Sequence, residues 1–141
     1  MNRSPVFIDA SGWIAIISAD DRNHESAKLA YQQAISHNTR IITTNWTLYE
    51  ALSIIKDKIG HAQATALWNL VKQFPLIALV KVTDDIETKG INLFFRYRDK
   101  TWGVVDCTSL VVMEQTGCLK ALAYDRHFRE ASLQRGFEVM Q

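Results

Sequence analysis

Three aspartates occupy positions from which a carboxylate can act on more than its own backbone. Asp9 directly follows Pro5-Val6-Phe7-Ile8, which reads as a short buried strand, and Asp125 ends Leu119 to Tyr124, which reads as another. Asp106 lies in the first turn of the nearly apolar segment Val104 to Thr116, on the helical face shared by Leu110, Met113 and Gly117. An isolated charge on such a face is too costly, so it must be paired, capped or metal-bound. Each aspartate also has a plainer role available. Asp9 or Ser11 can cap a following helix, Asp125 can cap another, and an acid in a first helical turn gains from the macrodipole. Glu50 lies about 200° around the helix from the Leu48-Leu52-Ile55 stripe, with Ile54 at i+4 on its side, and periodicity alone makes it a surface glutamate.

If these four acids converge, their chemistry is constrained. Carboxylates at close range repel, so a cluster is stable only when protonated or holding a cation. Oxygen donors favour Mg2+ or Mn2+ over zinc, and no Cys/His spacing in the chain fits a zinc site. Such an ion can polarise a phosphoryl oxygen, generate a hydroxide nucleophile and stabilise a leaving oxygen, which makes the reaction class phosphodiester hydrolysis.

The elements that must position these acids alternate in type. After the first strand a helix begins near Ser11, and an amphipathic helix covers Ser26 to Ile35. Arg40 to Thr43 is a second strand, with Asn45 placed to cap the helix carrying Leu48, Leu52, Ile55 and Ile59. A helix over His61 to Phe74 is stopped by Pro75, and Leu76 to Val82 is strand-like. Thr83 or Asp84 caps a helix running to about Tyr97; the apolar helix is closed by Gly117, and Phe137 to Met140 is a last strand. The alternation predicts an α/β fold: a central parallel sheet of four to five strands with helices on both faces, in one domain over residues 1–141. Sites in such sheets lie beyond the carboxyl ends of the strands, where Asp9 and Asp125 fall.

Composition sets the class. The 141 residues are 48% hydrophobic and 22% charged, enough apolar material for a core and ordinary for a soluble globular protein. Cys107 and Cys118 lie in or just past one predicted helix, eleven residues and roughly 16 Å apart, too far for a disulfide. Reduced thiols and the lack of a secretory pattern point to the cytoplasm. The apolar run Val6 to Ile17 is interrupted by Asp9, and no segment reaches the length of a membrane span. The net charge of +1 says little about partners. Positive charge is nevertheless concentrated late in the chain, at Arg96, Arg98, Lys100, Arg126, His127, Arg129 and Arg135. These are either solvated helix faces or a substrate-binding surface, for which Arg126 and His127, beside Asp125, are the candidates.

Four segments carry a family likeness: Val6-Phe7-Ile8-Asp9-Ala10-Ser11, Asn45-Trp46-Thr47-Leu48-Tyr49-Glu50-Ala51, Asp99-Lys100-Thr101-Trp102-Gly103-Val104-Val105-Asp106-Cys107 and Ala121-Leu122-Ala123-Tyr124-Asp125-Arg126-His127-Phe128. Each alone is a weak signature; the ordered set spans nearly the whole chain. The sequence resembles the PIN-domain nucleases, and among them the single-domain, VapC-like toxins of toxin–antitoxin pairs. That resemblance implies a metal-dependent endoribonuclease with Asp9, Glu50, Asp106 and Asp125 around one or two Mg2+ or Mn2+ ions. Asp9 and Asp106 would be the principal ligands, Glu50 would orient a metal-bound water or serve as a base, Asp125 would complete the outer shell, and Ser11 would hydrogen-bond near the metal. It also implies an RNA substrate, a homodimer and an antitoxin whose tail covers the site. One departure is Ala123, where relatives often carry Thr or Ser, which removes a hydroxyl from the Asp125 corner.

Rivals are weaker. A phosphoaspartyl hydrolase wants an acid two residues after the first, where Ser11 stands, and a receiver domain wants an acidic pair at the first strand end. A ribonuclease-H-like nuclease shares the carboxylate logic and differs in strand order. A non-catalytic PIN module binding RNA or a protein is the alternative from another class, and the presence of all four acids counts against it.

Overall fold

The computed structural model describes residues 3–140. Its elements are β1 (Val6–Ile8), α1 (Ala10–Ile17), α2 (His24–Ser36), β2 (Ile41–Thr44), α3 (Asn45–Lys58), α4 (His61–Gln73), β3 (Ile77–Val80), α5 (Asp84–Arg96), α6 (Val104–Thr116), β4 (Lys120–Leu122), α7 (Arg126–Arg135) and β5 (Glu138–Met140). The strands form one five-stranded sheet in the order β3-β2-β1-β4-β5, and every pair is parallel. The α/β class, the parallel sheet and the helices on both faces agree with the sequence expectation.

The side-chain period of two along each strand divides the core between two faces. Phe7, Ile42 and Ala121 point to the face covered by α5, α6 and α7, where Phe7 stacks on Phe128 with ring centroids 6.2 Å apart. Ile8, Ile41 and Leu122 point to the opposite face and pack with Trp13, Leu48, Ile55 and Leu67. The β1–β4 register pairs Val6 with Lys120, Phe7 with Ala121 and Ile8 with Leu122, so the two strands end side by side. From β1 the chain builds outward through β2 and β3, then returns to add β4 and β5 on the other side. The crevice beyond β1 and β4 is therefore the switch point of the sheet, where ligands of open α/β folds bind.

Gly12 allows α1 to lie against this edge. A Cβ built there would come 2.4 Å from the Leu122 carbonyl oxygen and 2.8 Å from Ile8 Cγ2. Helix ends follow the predicted chemistry with one change. Thr83 caps α5, and Gly117 closes α6 at φ 75°. The cap of α3 is Thr44 rather than Asn45: Thr44 is the last extended residue and its hydroxyl accepts the Thr47 N–H at 3.0 Å. Asn45 instead turns outward from the first turn and accepts the Val82 N–H at 2.8 Å, tying α3 to the segment after β3. Of the two candidates for the cap of α1, Asp9 fills the position. Cys107 and Cys118 are both free and buried, and burial followed by the nearby Asp106 charge pushes the Cys107 thiol up to about 11. Among the described residues no helix is long and apolar enough to cross a membrane.

Candidate active site

One pocket of about 150 Å³ is lined by Asp9, Glu50, Asp106 and Asp125, together with Ser11, Thr47 and Ser109. The four acids come from four separate parts of the chain: the end of β1, the second turn of α3, the first turn of α6 and the approach to α7. Larger surface hollows lie elsewhere, such as one bounded by Leu110, Cys118 and Phe137, but they do not gather carboxylates.

Asp9 is 5% exposed and held by its neighbours. Its Oδ1 accepts the Ser11 hydroxyl at 2.7 Å and the Gly12 N–H at 2.9 Å, so this oxygen also caps α1. Burial pushes the carboxyl up from 3.8 to about 7; the bonds from Ser11 and Gly12 oppose that rise, and the charges of Asp125 and Asp106 add to it. Capping and a role in the pocket are compatible, because a carboxylate has a second oxygen.

Asp106 accepts the Gly103 N–H through Oδ2 at 3.0 Å, closing the first turn of α6. Its carboxyl is held above the ordinary range, chiefly by desolvation and further by Asp125, against the pull of Gly103 and His127. Asp125 caps α7 through a 2.7 Å bond from the His127 N–H. Glu50 stands at the rim and is exposed, as periodicity expected, yet the pocket wall desolvates its carboxyl enough to raise its pKa, and the Asp106 and Asp125 charges act in the same direction. Its apolar neighbour one turn on, Ile54, lines the same pocket.

Three carboxyls in one small pocket are raised first by desolvation and then by one another's charge, and a bound cation would relieve both. Hard oxygen donors in that condition suit a divalent cation such as Mg2+ or Mn2+, so the residues present fit the group the chemistry calls for.

His127 stands among these acids rather than facing away from them. Its Nδ1 is 3.1 Å from Asp106 Oδ2 and 3.5 Å from Asp125 Oδ1, while Nε2 is 3.3 Å from Thr101 Oγ1. Arg126 is exposed at the start of α7, beside the site. Other late cations serve the fold: Arg135 bonds Glu114 at 2.8 Å, and Lys100 lies between Asp99 and Glu130. Ala123 is fully buried, and at this corner a different contact holds the chain: the Tyr124 N–H donates to Ser11 Oγ at 2.8 Å.

Thr47 and Ser109 went unnoticed in the sequence. Their hydroxyls lie 3.2 Å apart and join α3 to α6 beneath the acids, with Thr44 also bonded to Thr47. Their signal was spacing, since Thr47 precedes Glu50 by three residues and Ser109 follows Asp106 by three, one helical turn in each case.

Comparison with known proteins places the fold in a family. The sequence profile of the PIN domain matches residues 6–133. This chain belongs to the PIN-domain family. It is 29% identical over 126 residues to the 23S rRNA-specific endonuclease VapC20 of Mycobacterium tuberculosis, covering 89% of this chain and 93% of that protein. The crystal structure of that protein, described as a Sarcin-Ricin loop cleaving toxin, superposes with a TM-score of 0.80 at 28% identity, over 89% of this chain and 94% of the other. More distant PIN-fold matches share the architecture alone. FitAcB from Neisseria gonorrhoeae has a TM-score of 0.67 at 11% identity, covering 96% of each chain. VapBC2 from Rickettsia felis, bound to a DNA fragment from its promoter, has a TM-score of 0.68 at 9% identity, over 95% of this chain and 96% of the other.

Proposed function

We propose that this protein is a divalent-metal-dependent endoribonuclease, the toxin of a toxin–antitoxin pair, with Asp9, Glu50, Asp106 and Asp125 as its catalytic carboxylates. The observation that carries the reading is the meeting of four acids from four segments in one pocket at the switch point of the sheet. Similarity to an rRNA endonuclease over most of both chains supports RNA as the substrate.

In this reading Asp9 and Asp106 are the principal metal ligands, Asp125 completes the set, and Ser11 keeps Asp9 in place. The ion, once bound, neutralises the phosphate and stabilises the charge that develops on the cleaved bond. Glu50, at the rim, is placed to orient the attacking water and take its proton. Arg126 offers a cation to the RNA backbone beside the site. The toxin reading brings with it an antitoxin that covers the pocket, a homodimer and a cytoplasmic location.

The test is cleavage of RNA by the purified protein with Mg2+ or Mn2+, with 23S rRNA as the first substrate because of the VapC20 likeness. Activity should disappear with chelator and with Asp106→Asn. Full cleavage by a folded Asp106→Asn variant sinks the site; RNA binding without any metal-dependent turnover identifies a non-catalytic module instead.

A further inference from the structure

We infer that His127 is a nitrogen ligand of the bound cation, shared with Asp106 and Asp125, and that it makes the site favour Mn2+ over Mg2+. The inference rests on the metal-dependent reading above and adds the choice of ion.

Three ligand atoms, one each from Asp106, Asp125 and His127, lie within 4.8 Å of one another. Nδ1 of His127 is 3.1 Å from Asp106 Oδ2 and 3.5 Å from Asp125 Oδ1. An octahedral ion with bonds of 2.0–2.1 Å places neighbouring ligand atoms about 3 Å apart, so these separations are near those of one coordination shell. Both oxygens also accept a backbone N–H, Asp106 Oδ2 from Gly103 and Asp125 Oδ1 from His127, which holds the carboxylates in place.

The far side of the ring supplies the second observation. Nε2 of His127 lies 3.3 Å from Thr101 Oγ1. A metal-binding histidine commonly donates its other ring N–H to such an oxygen, which fixes the tautomer and aims the free lone pair. With the proton on Nε2 and donated to Thr101, the Nδ1 lone pair faces the two carboxylates.

The nitrogen donor bears on selectivity. Mg2+ binds through oxygen and keeps several waters, whereas Mn2+, which also suits carboxylates, is the first member of the transition-metal series that mixed N/O sites bind. The three remaining histidines, His24, His37 and His61, belong to no comparable group among the described residues.

The experiment is pulsed electron paramagnetic resonance of the purified protein loaded with Mn2+, comparing natural-abundance protein with protein carrying 15N-histidine. Modulation from a directly bound 14N should be replaced by a 15N pattern on labelling and should vanish in His127→Gln. In equilibrium titrations His127→Gln should lose Mn2+ affinity by at least about tenfold, the lower end for disturbance of a ligand's support, and Mg2+ affinity by less. If that variant does not fold, the labelled wild-type protein still decides the matter. Bound Mn2+ with no histidine nitrogen coupling overturns this inference and leaves the metal-nuclease reading standing. Binding of Mg2+ without Mn2+ overturns this inference alone, and failure to bind either ion overturns both.

Discussion

The Ser11 hydroxyl accepts the backbone N–H of Tyr124 at 2.8 Å, joining residues 113 apart in the chain. The same oxygen donates its proton to Asp9 Oδ1 at 2.7 Å. One side chain therefore fixes the Asp9 carboxylate and closes the seam between the ends of β1 and β4. Ser11→Ala should break both contacts and strand the Tyr124 N–H. We expect a loss of about 1–2 kcal/mol in stability, in the range for an unmade hydrogen bond, visible in urea unfolding. Because the Ser11 bond holds the Asp9 pKa down, its loss should also move the acid limb of the activity profile to higher pH. An unmoved limb would show that Ser11 supports the backbone alone.

Asp9 itself couples stability to pH. Its native pKa of about 7 lies above the ordinary 3.8, so between those values the native protein holds more protons than the unfolded chain. Stability of the metal-free protein should then fall as pH rises through that window, by an amount on the order of 4 kcal/mol for a fully buried group. Asp9→Asn keeps an oxygen to accept from Ser11 and Gly12 and removes the charge. The metal-free variant should melt higher than wild type at pH 8 and have no nuclease activity. A lower melting temperature at pH 8 would refute the burial argument.

Metal addition should act on stability in the opposite direction. A cation that binds only the folded protein stabilises it by about 2.7 kcal/mol at a hundredfold excess over Kd. Calorimetry at pH 8 should show the wild-type midpoint rising with Mn2+ concentration and falling back with chelator. Asp9→Asn should respond much less, and an equal response would remove Asp9 from the ligand set.

The sequence made these acids legible to different degrees, for physical reasons. Asp9 and Asp125 could be located because short apolar strands end on them, and parallel α/β sheets place sites there. The pairing of β1 with β4 is set by contacts more than a hundred residues apart, which no local pattern records. Glu50 was read correctly as exposed, but a helical wheel distinguishes core from solvent and does not mark the rim of a pocket. The α3 cap was displaced by one residue because Thr44 and Asn45 can both cap, and only the reach of Asn45 to Val82 separates them. The inward turn of His127 depends on how α7 docks beside α6, so the sequence marked it as a candidate substrate contact beside Asp125 and not as a neighbour of Asp106.

Glu50 offers the cleanest separation of chemistry from folding. It is exposed at the rim and is not part of either buried core, so Glu50→Gln should leave the melting temperature within about a degree of wild type. If it takes the proton of the attacking water, kcat should fall by roughly 10²–10⁴-fold, the usual contribution of a general base. The raised pKa of Glu50 comes first from desolvation and then from Asp106 and Asp125. Asp125→Asn should accordingly shift the acid limb of the pH profile downward in whatever activity remains. Unchanged kcat in Glu50→Gln would leave the base to be found elsewhere.

Gly12 tests whether the close approach of α1 to β4 is what positions Asp9. An alanine Cβ would meet the Leu122 carbonyl oxygen at 2.4 Å, and a backbone oxygen paired within a sheet cannot swing aside as a flexible side chain can. Helix α1 must then lift, and it carries the Gly12 N–H that bonds Asp9. Gly12→Ala should cost about 1–3 kcal/mol, as overpacking does, and should depress activity by more than the unfolded fraction explains. Gly117→Ala is the matched control: its φ of 75° is strained for alanine, but nothing lies within 4 Å of the added carbon. That variant should lose roughly 1–2 kcal/mol from backbone strain alone and keep the kcat of its folded fraction. Equal losses of kcat in the two variants would mean that general destabilisation, not displacement of Asp9, limits activity.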